Sequence, residues 1–297
     1  MKISGHTMGT PEYLLDEAIK LFSKIGFDGI EIIVQTDGYP CAIPFDATND
    51  QVAEVKKMAE NAGLAIAGLT PYLHLFNSLD EAARIKECDD LKRIIDMANM
   101  LDVKNIRIYG GKLVDGEEDP DGRKLSQLVK SMRECGDYCS QYGIRLCMEN
   151  HFGTMTATAA QTAKIVKLIN HPNVGILYDQ ANIAFLPAEE YDEAIELQKD
   201  KIFFVHCKDF VYRAGKPTKA RFRQVATVDE DERTVNSRIP GQGILDWPSI
   251  FKRLKEIGYD GWVSVEYERR WQTLDLPEAS IGMPQALNYI RSIIEAL

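Results

Sequence analysis

Eight short β-rich runs alternate with helical runs along the chain, and this alternation limits the fold more than any other feature. The runs are MKISGH, DGIEIIV, LAIAGLT, NIRIYGG, IRLCMEN, VGILYD, IFFVHCK and GWVSVEY. Strands separated by helices cannot pair as hairpins and must lie parallel. Eight such units predict a closed (β/α)8 barrel, the α/β TIM-barrel architecture. A doubly wound open sheet is the alternative, but the first strand-to-helix turn lacks G-x-G-x-x-G. The helical runs carry their own signals. In PEYLLDEAIKLFSKIG, Leu14, Ala18, Leu21 and Ile25 recur at helical spacing and Gly26 stops the helix. In NDQVAEVKKMAENAG, Asn49 or Asp50 is the expected cap and Gly63 the stop. PQALNYIRSIIEAL is the expected last helix. No linker or low-complexity stretch interrupts the pattern, so a single domain over 1–297 is expected.

In such barrels chemistry sits at the C-terminal ends of the strands. Side chains alternate along a strand, so parity tells which residues point inward. In IRLCMENH, Ile144, Leu146 and Met148 form the apolar set, leaving Glu149 and His151 inward. Asp179 ends VGILYD on the face opposite Ile176 and Tyr178. His206 shares a face with Phe204 and Lys208, and Glu266 points inward with Ser264. Four consecutive strands thus each deliver one ligand-type residue to the same end: Glu149, Asp179, His206 and Glu266. Unpaired carboxylates in a narrow interior repel each other and lose hydration, at about several kcal/mol each. One divalent metal ion resolves the conflict. The oxygen-rich set suits Mn²⁺, Mg²⁺ or Co²⁺ and also admits Zn²⁺.

These residues carry a resemblance. The chain resembles the xylose isomerase-like TIM barrels, the sugar phosphate isomerase/epimerase superfamily, which includes ketose 3-epimerases and inosose dehydratases and isomerases. The signposts are GFDGIEI at 26–32, MENH at 148–151, HPNVGILYD at 171–179, HCKD at 206–209, and GQGILDW followed by GYDGWVSVE ending at Glu266. The family holds its metal with a Glu, Asp, His, Glu set, which falls on Glu149, Asp179, His206 and Glu266. One position departs. Ketose epimerases commonly carry a His three residues after the metal-binding Asp, whereas DQAN places Asn182 there. An amide can hydrogen-bond a hydroxyl but gains no charge near neutral pH.

The expected function is a divalent-metal-dependent sugar or polyol isomerase or epimerase, abstracting a proton next to a carbonyl through an enediolate. Glu149 and Glu266 are its expected acid/base pair and Lys208 an auxiliary group. The alternative is a metal-dependent dehydratase or lyase on a keto-polyol or ketosugar, with Lys208 or His151 as the extra acid or base. A non-catalytic sugar-binding barrel is a third reading. His6, His74, His151, Asn182 and Glu31 are the expected substrate contacts, with Tyr109 and Trp271 as walls. His171 reads as a loop residue, and Asp209, of opposite parity to His206 and Lys208, as a loop cap.

Composition narrows the classes. A net charge of −10 repels a phosphate backbone and argues against nucleic acid, including an endonuclease IV-like role. No apolar run approaches the ~20 residues of a membrane span, and the N-terminus lacks a signal-peptide core. Six cysteines without a C-x-x-C pair read as thiols in a reducing compartment, so a cytoplasmic location is expected. A small-molecule sugar or polyol is the expected partner, and the expectation leans to a homo-oligomer. Residues 211–242 exceed an ordinary βα loop. They begin basic, with Arg213, Lys216, Lys219, Arg221 and Arg223, and carry DEDE at 229–232. A solvated excursion would account for them. So would a lid or dimer arm whose arginines bind an anionic substrate.

Overall fold

The structure is a computed structural model and describes residues 1–36, 38–113, 117–185, 188–215 and 233–297. The predicted runs become β1 (Lys2–His6), β2 (Gly29–Val34), β3 (Ala65–Pro71), β4 (Asn105–Ile108), β5 (Arg145–Glu149), β6 (Val174–Tyr178), β7 (Ile202–Cys207) and the last barrel strand, β10 (Trp262–Val265). They close in the order β1-β10-β7-β6-β5-β4-β3-β2, with parallel pairing. Closure rules out the open sheet. Two further strands, β8 (Asp209–Tyr212) and β9 (Val235–Arg238), form an antiparallel ribbon outside the barrel. The helices among the described residues are α1 (Leu15–Ile25), α2 (Asn49–Asn61), α3 (Glu81–Met100), α4 (Arg123–Ser140), α5 (Ala159–Ile169), α6 (Gln180–Phe185), α7 (Tyr191–Gln198), α8 (Trp247–Glu256) and α9 (Ala279–Ala296).

Two compact units divide the chain. Met1–Ala67 with Val205–Leu297 buries Phe22, Ile30, Ile32, Trp247 and Phe251 between strands and helices. Gly68–Phe204 buries Phe76, Leu91, Ile94, Leu146 and Ile176. Each such side chain contributes about 1.5–3 kcal/mol through removal from water.

Local chemistry sets the boundaries, and some differ from expectation. In α1 the buried stripe is Leu15, Ala18, Ile19 and Phe22, while Leu14 is 57% exposed. The LLDEAIKLF stretch holds two overlapping apolar series, and the one carrying Phe22 is buried. Gly26 ends this helix at φ +98°, its N–H donating to the Phe22 and Ser23 carbonyls. The cap of α2 is Thr48, one residue before the expected site. Its hydroxyl accepts from the Gln51 N–H while Gln51 Oε1 accepts from the Thr48 N–H, at 3.3 and 2.8 Å. This reciprocal pair satisfies two backbone donors at once. The final helix starts five residues before Pro284, because Glu278 already caps it through the Ser280 N–H.

The long excursion opens and closes as the β8–β9 ribbon, with Asp209 opposite Arg238. Asp209 is the loop cap expected of it. Its carboxylate accepts the N–H groups of Phe210, Gly241, Gly243 and Leu245 at 2.9–3.2 Å. Gly243 is required there, since a Cβ would fall 2.0 Å from Asp209 Oδ1. Lys216, Lys219, Arg221, Arg223 and the acidic run 229–232, which carry the lid or arm reading, lie outside the described residues. All six cysteines are thiols, and all are buried. No helix among the described residues is long and apolar enough to cross a membrane.

Candidate functional site

The first unit gathers polar groups at the ends of β1, β2, β7 and β10. The strand register explains the gathering. His6 lies beside Glu31, Ser4 beside Ser264, and Ser264 beside His206. The small Ser4 and Ser264 leave room for the larger groups around them. Both oxygens of Glu31 approach His206 Nε2, at 3.2 and 3.0 Å. Glu31 Oε1 also lies 3.7 Å from His6 Nε2. Burial alone would push the Glu31 carboxyl up, but the facing His206 and His6 imidazoles outweigh it and hold it at about 2.

Just beyond β7 and β10 a second cluster forms. Lys208 Nζ donates to Glu266 Oε2 at 2.6 Å and to Glu268 Oε1 at 3.3 Å. Glu266 Oε2 also lies 3.4 Å from His206 Nδ1. Burial again opposes ionisation of Glu266, yet Lys208 and His206 prevail and hold it well below the usual carboxylate range. At Glu268 burial wins over Lys208, and its carboxyl is raised. Lys208 is buried and stands between these two carboxylates.

The second unit holds its own set. Glu149 ends β5 and Asp179 follows β6, both fully buried. Arg107, inward on β4, donates from Nε to Glu149 Oε2 at 2.7 Å and also pairs through Nη2. Its guanidinium lies 3.5 Å from the Tyr109 ring centroid. Asn182 opens its amide to three acceptors: Nδ2 lies 3.0 Å from Asp179 Oδ2, 2.9 Å from the Asn150 carbonyl and 3.4 Å from Glu149 Oε1. The Asn182 backbone N–H reaches Asp179 Oδ1 at 3.0 Å. Asn182 therefore braces the two carboxylates.

His74 and His151 both stand edge-on to Tyr109, with ring centroids 6.3 and 4.8 Å from it. His151 Nδ1 donates to the Phe152 carbonyl at 2.6 Å, and its ring stacks on Phe152. Trp271 is half-buried beside Arg270. His171 lies in the turn before β6, as expected, 3.2 Å from Asp137.

Sequence reasoning missed Arg107 and Glu268. Parity marks both, since Arg107 alternates with Ile106 and Ile108, and Glu268 lies two residues beyond Glu266. Neither belongs to the ligand-type set from which the site was read.

A family model described as the xylose isomerase-like TIM barrel matches residues 19–293. The chain is similar to the rhizopine catabolism protein MocC of Rhizobium meliloti, 33% identical over 158 residues, covering 52% of this chain and 44% of that protein. It is also similar to an inosose dehydratase of Lacticaseibacillus casei, 27% identical over 144 residues, covering 48% and 47%. The chain thus spans about half the length of these curated relatives. Among solved structures, the IOLI protein with a bound zinc atom superposes with a TM-score of 0.78 at 22% identity, covering 100% of this chain and 99% of that one. At that identity the likeness is one of fold.

Proposed function

The chain belongs to the xylose isomerase-like TIM barrel family, and from that footing we propose that it is a divalent-metal-dependent isomerase or epimerase of a small sugar or polyol. One observation carries the reading. Glu149 and Asp179 are buried at the ends of β5 and β6 in one unit, and His206 and Glu266 are buried at the ends of β7 and β10 in the other. The donor chemistry fits a cation. Three carboxylates and an imidazole in a dry interior bring negative charges and lone pairs together, and a divalent ion relieves both. Glu266 Oε2 facing His206 Nδ1 at 3.4 Å is one such pair. Oxygen-rich ligation suits Mn²⁺, Mg²⁺ or Co²⁺, and Zn²⁺ is compatible.

A divalent ion held there would polarise a substrate carbonyl and ease loss of the proton on the neighbouring carbon. The chain's own groups do the rest. Glu266, oriented by Lys208, takes that proton or returns it. Glu149 serves the opposite face, its Oε2 fixed by Arg107 and its Oε1 directed to Asn182. Removal from one face and return to the other inverts the carbon with no net change in atoms or electrons. His74, His151 and Asn182 are the proposed contacts to substrate hydroxyls, with Tyr109 as an apolar wall.

A dehydratase is the second reading. Its support is the similarity to an inosose dehydratase and the amide at Asn182. The same proton loss would then be followed by departure of a hydroxyl, protonated by Lys208 or His151.

Deuterium exchange tests the class. Substrate recovered from D₂O before equilibrium is expected to carry deuterium next to the carbonyl, and loss of water in the product distinguishes the dehydratase. Glu266→Gln is expected to abolish exchange with metal content retained. Full turnover by a metal-loaded Glu266→Gln variant would transfer the base to Lys208 or His151.

A further inference from the structure

We propose that Glu31 is a positioning residue: it holds the His206 proton on Nε2 and turns Nδ1 toward Glu266, making Nδ1 the atom His206 offers to a divalent ion. The inference rests on the metal reading above. It assigns one ring nitrogen, which the four-residue set leaves open.

Its basis is geometric. A carboxylate only accepts hydrogen bonds, so His206 Nε2, at 3.0 and 3.2 Å from the two Glu31 oxygens, must be the donor. With a cation in the site His206 is neutral and carries one proton, which leaves Nδ1 with its lone pair. Nδ1 lies 3.4 Å from Glu266 Oε2. The Nε2 edge of the ring thus faces Glu31, and the Nδ1 edge faces a proposed ligand.

His6 completes the arrangement. The Met8 backbone N–H donates to His6 Nδ1 at 3.0 Å, so the neutral His6 ring carries its proton on Nε2. That nitrogen is 3.7 Å from Glu31 Oε1. The His6 ring stands edge-on to His206, at 85° with centroids 5.6 Å apart. Glu31 therefore receives the N–H edges of two imidazoles. This takes Glu31 and His6 out of the group expected to touch substrate and gives them the role of aligning a ligand. A carboxylate behind a metal-binding imidazole raises its basicity and fixes its orientation.

The test uses the full chain, stripped of metal and labelled with ¹⁵N-histidine, with Mn²⁺ alone as the probe. Long-range ¹⁵N–¹H correlations report which His206 nitrogen holds the proton, and His206→Ala identifies the signals. Wild type is expected to show Nε2–H. Glu31→Met, which keeps length but has no acceptor, is expected to lose that preference and to bind Mn²⁺ about 10–100-fold more weakly. Glu31→Gln, whose carbonyl still accepts, is expected to keep the tautomer and to fall between the two. If Glu31→Met fails to fold, the wild-type tautomer and the Glu31→Gln affinity decide.

Three results would overturn the assignment. The first is an Nδ1–H tautomer in wild type. The second is a folded Glu31→Met variant with wild-type affinity. The third is a second Mn²⁺ per chain that Glu31→Met loses, which would make Glu31 a ligand. A wild type that takes up no Mn²⁺ would defeat the metal reading itself and the donor assignment with it. Unchanged affinity in Glu31→Met beside a binding wild type defeats only the role of Glu31.

Discussion

Lys208 stands buried between Glu266 and Glu268, so its removal leaves two carboxylates without their cation. Lys208→Met is expected to destabilise the metal-free protein by about 3–5 kcal/mol, the usual cost of breaking a buried pair from one side. Urea unfolding measures the loss, and a change below 1 kcal/mol (roughly the value of an exposed pair) would contradict this role. Arg107 bears the same relation to Glu149. Arg107→Met is expected to cost a similar amount without metal and clearly less under saturating Mn²⁺, because the ion supplies the missing positive charge. An equal deficit in both conditions would separate the Arg107–Glu149 pair from the metal centre. The proposed metal ligands were legible in the sequence because three carboxylates and an imidazole at strand ends admit few explanations. Arg107 and Glu268 were not, because a charged residue inside a strand run says nothing of its partner until the neighbouring strand is known.

At the scale of elements, all eight barrel strands fall on the predicted runs, since β-branched runs between helical stretches have few other fates. Helix phase was harder to read. LLDEAIKLF offers two apolar stripes, and only packing against β2, α2 and α9 selects Leu15, Ala18, Ile19 and Phe22 over the stripe through Leu14. The β8–β9 ribbon was also hidden, because each strand has four residues and the segment joining them is long. Two substitutions examine these boundaries. Thr48→Ala is expected to cost about 1 kcal/mol through loss of the α2 cap, read from urea midpoints. No loss would move the cap to Asn49. Asp209→Ala strands four backbone N–H groups and is expected to cost about 1–3 kcal/mol. It is also expected to speed amide exchange at Gly241, Gly243 and Leu245, and unchanged exchange would show that the β8–β9 ribbon alone fixes this turn.

For the molecule as a whole, a site that binds only the folded chain must couple metal to stability. Mn²⁺ at a hundred times its Kd is expected to add about 2.7 kcal/mol, reversed by a chelator, and a urea midpoint insensitive to Mn²⁺ would remove the site. The six buried thiols give a further consequence. A sulfhydryl sealed from solvent reacts with an alkylating reagent only when its surroundings open, so labelling rates form an internal clock of opening events. Cys41 and Cys207 keep time for one unit, and Cys88, Cys135, Cys139 and Cys147 for the other. Mass spectrometry of partially labelled chains would time the two units separately, with no probe added to the protein.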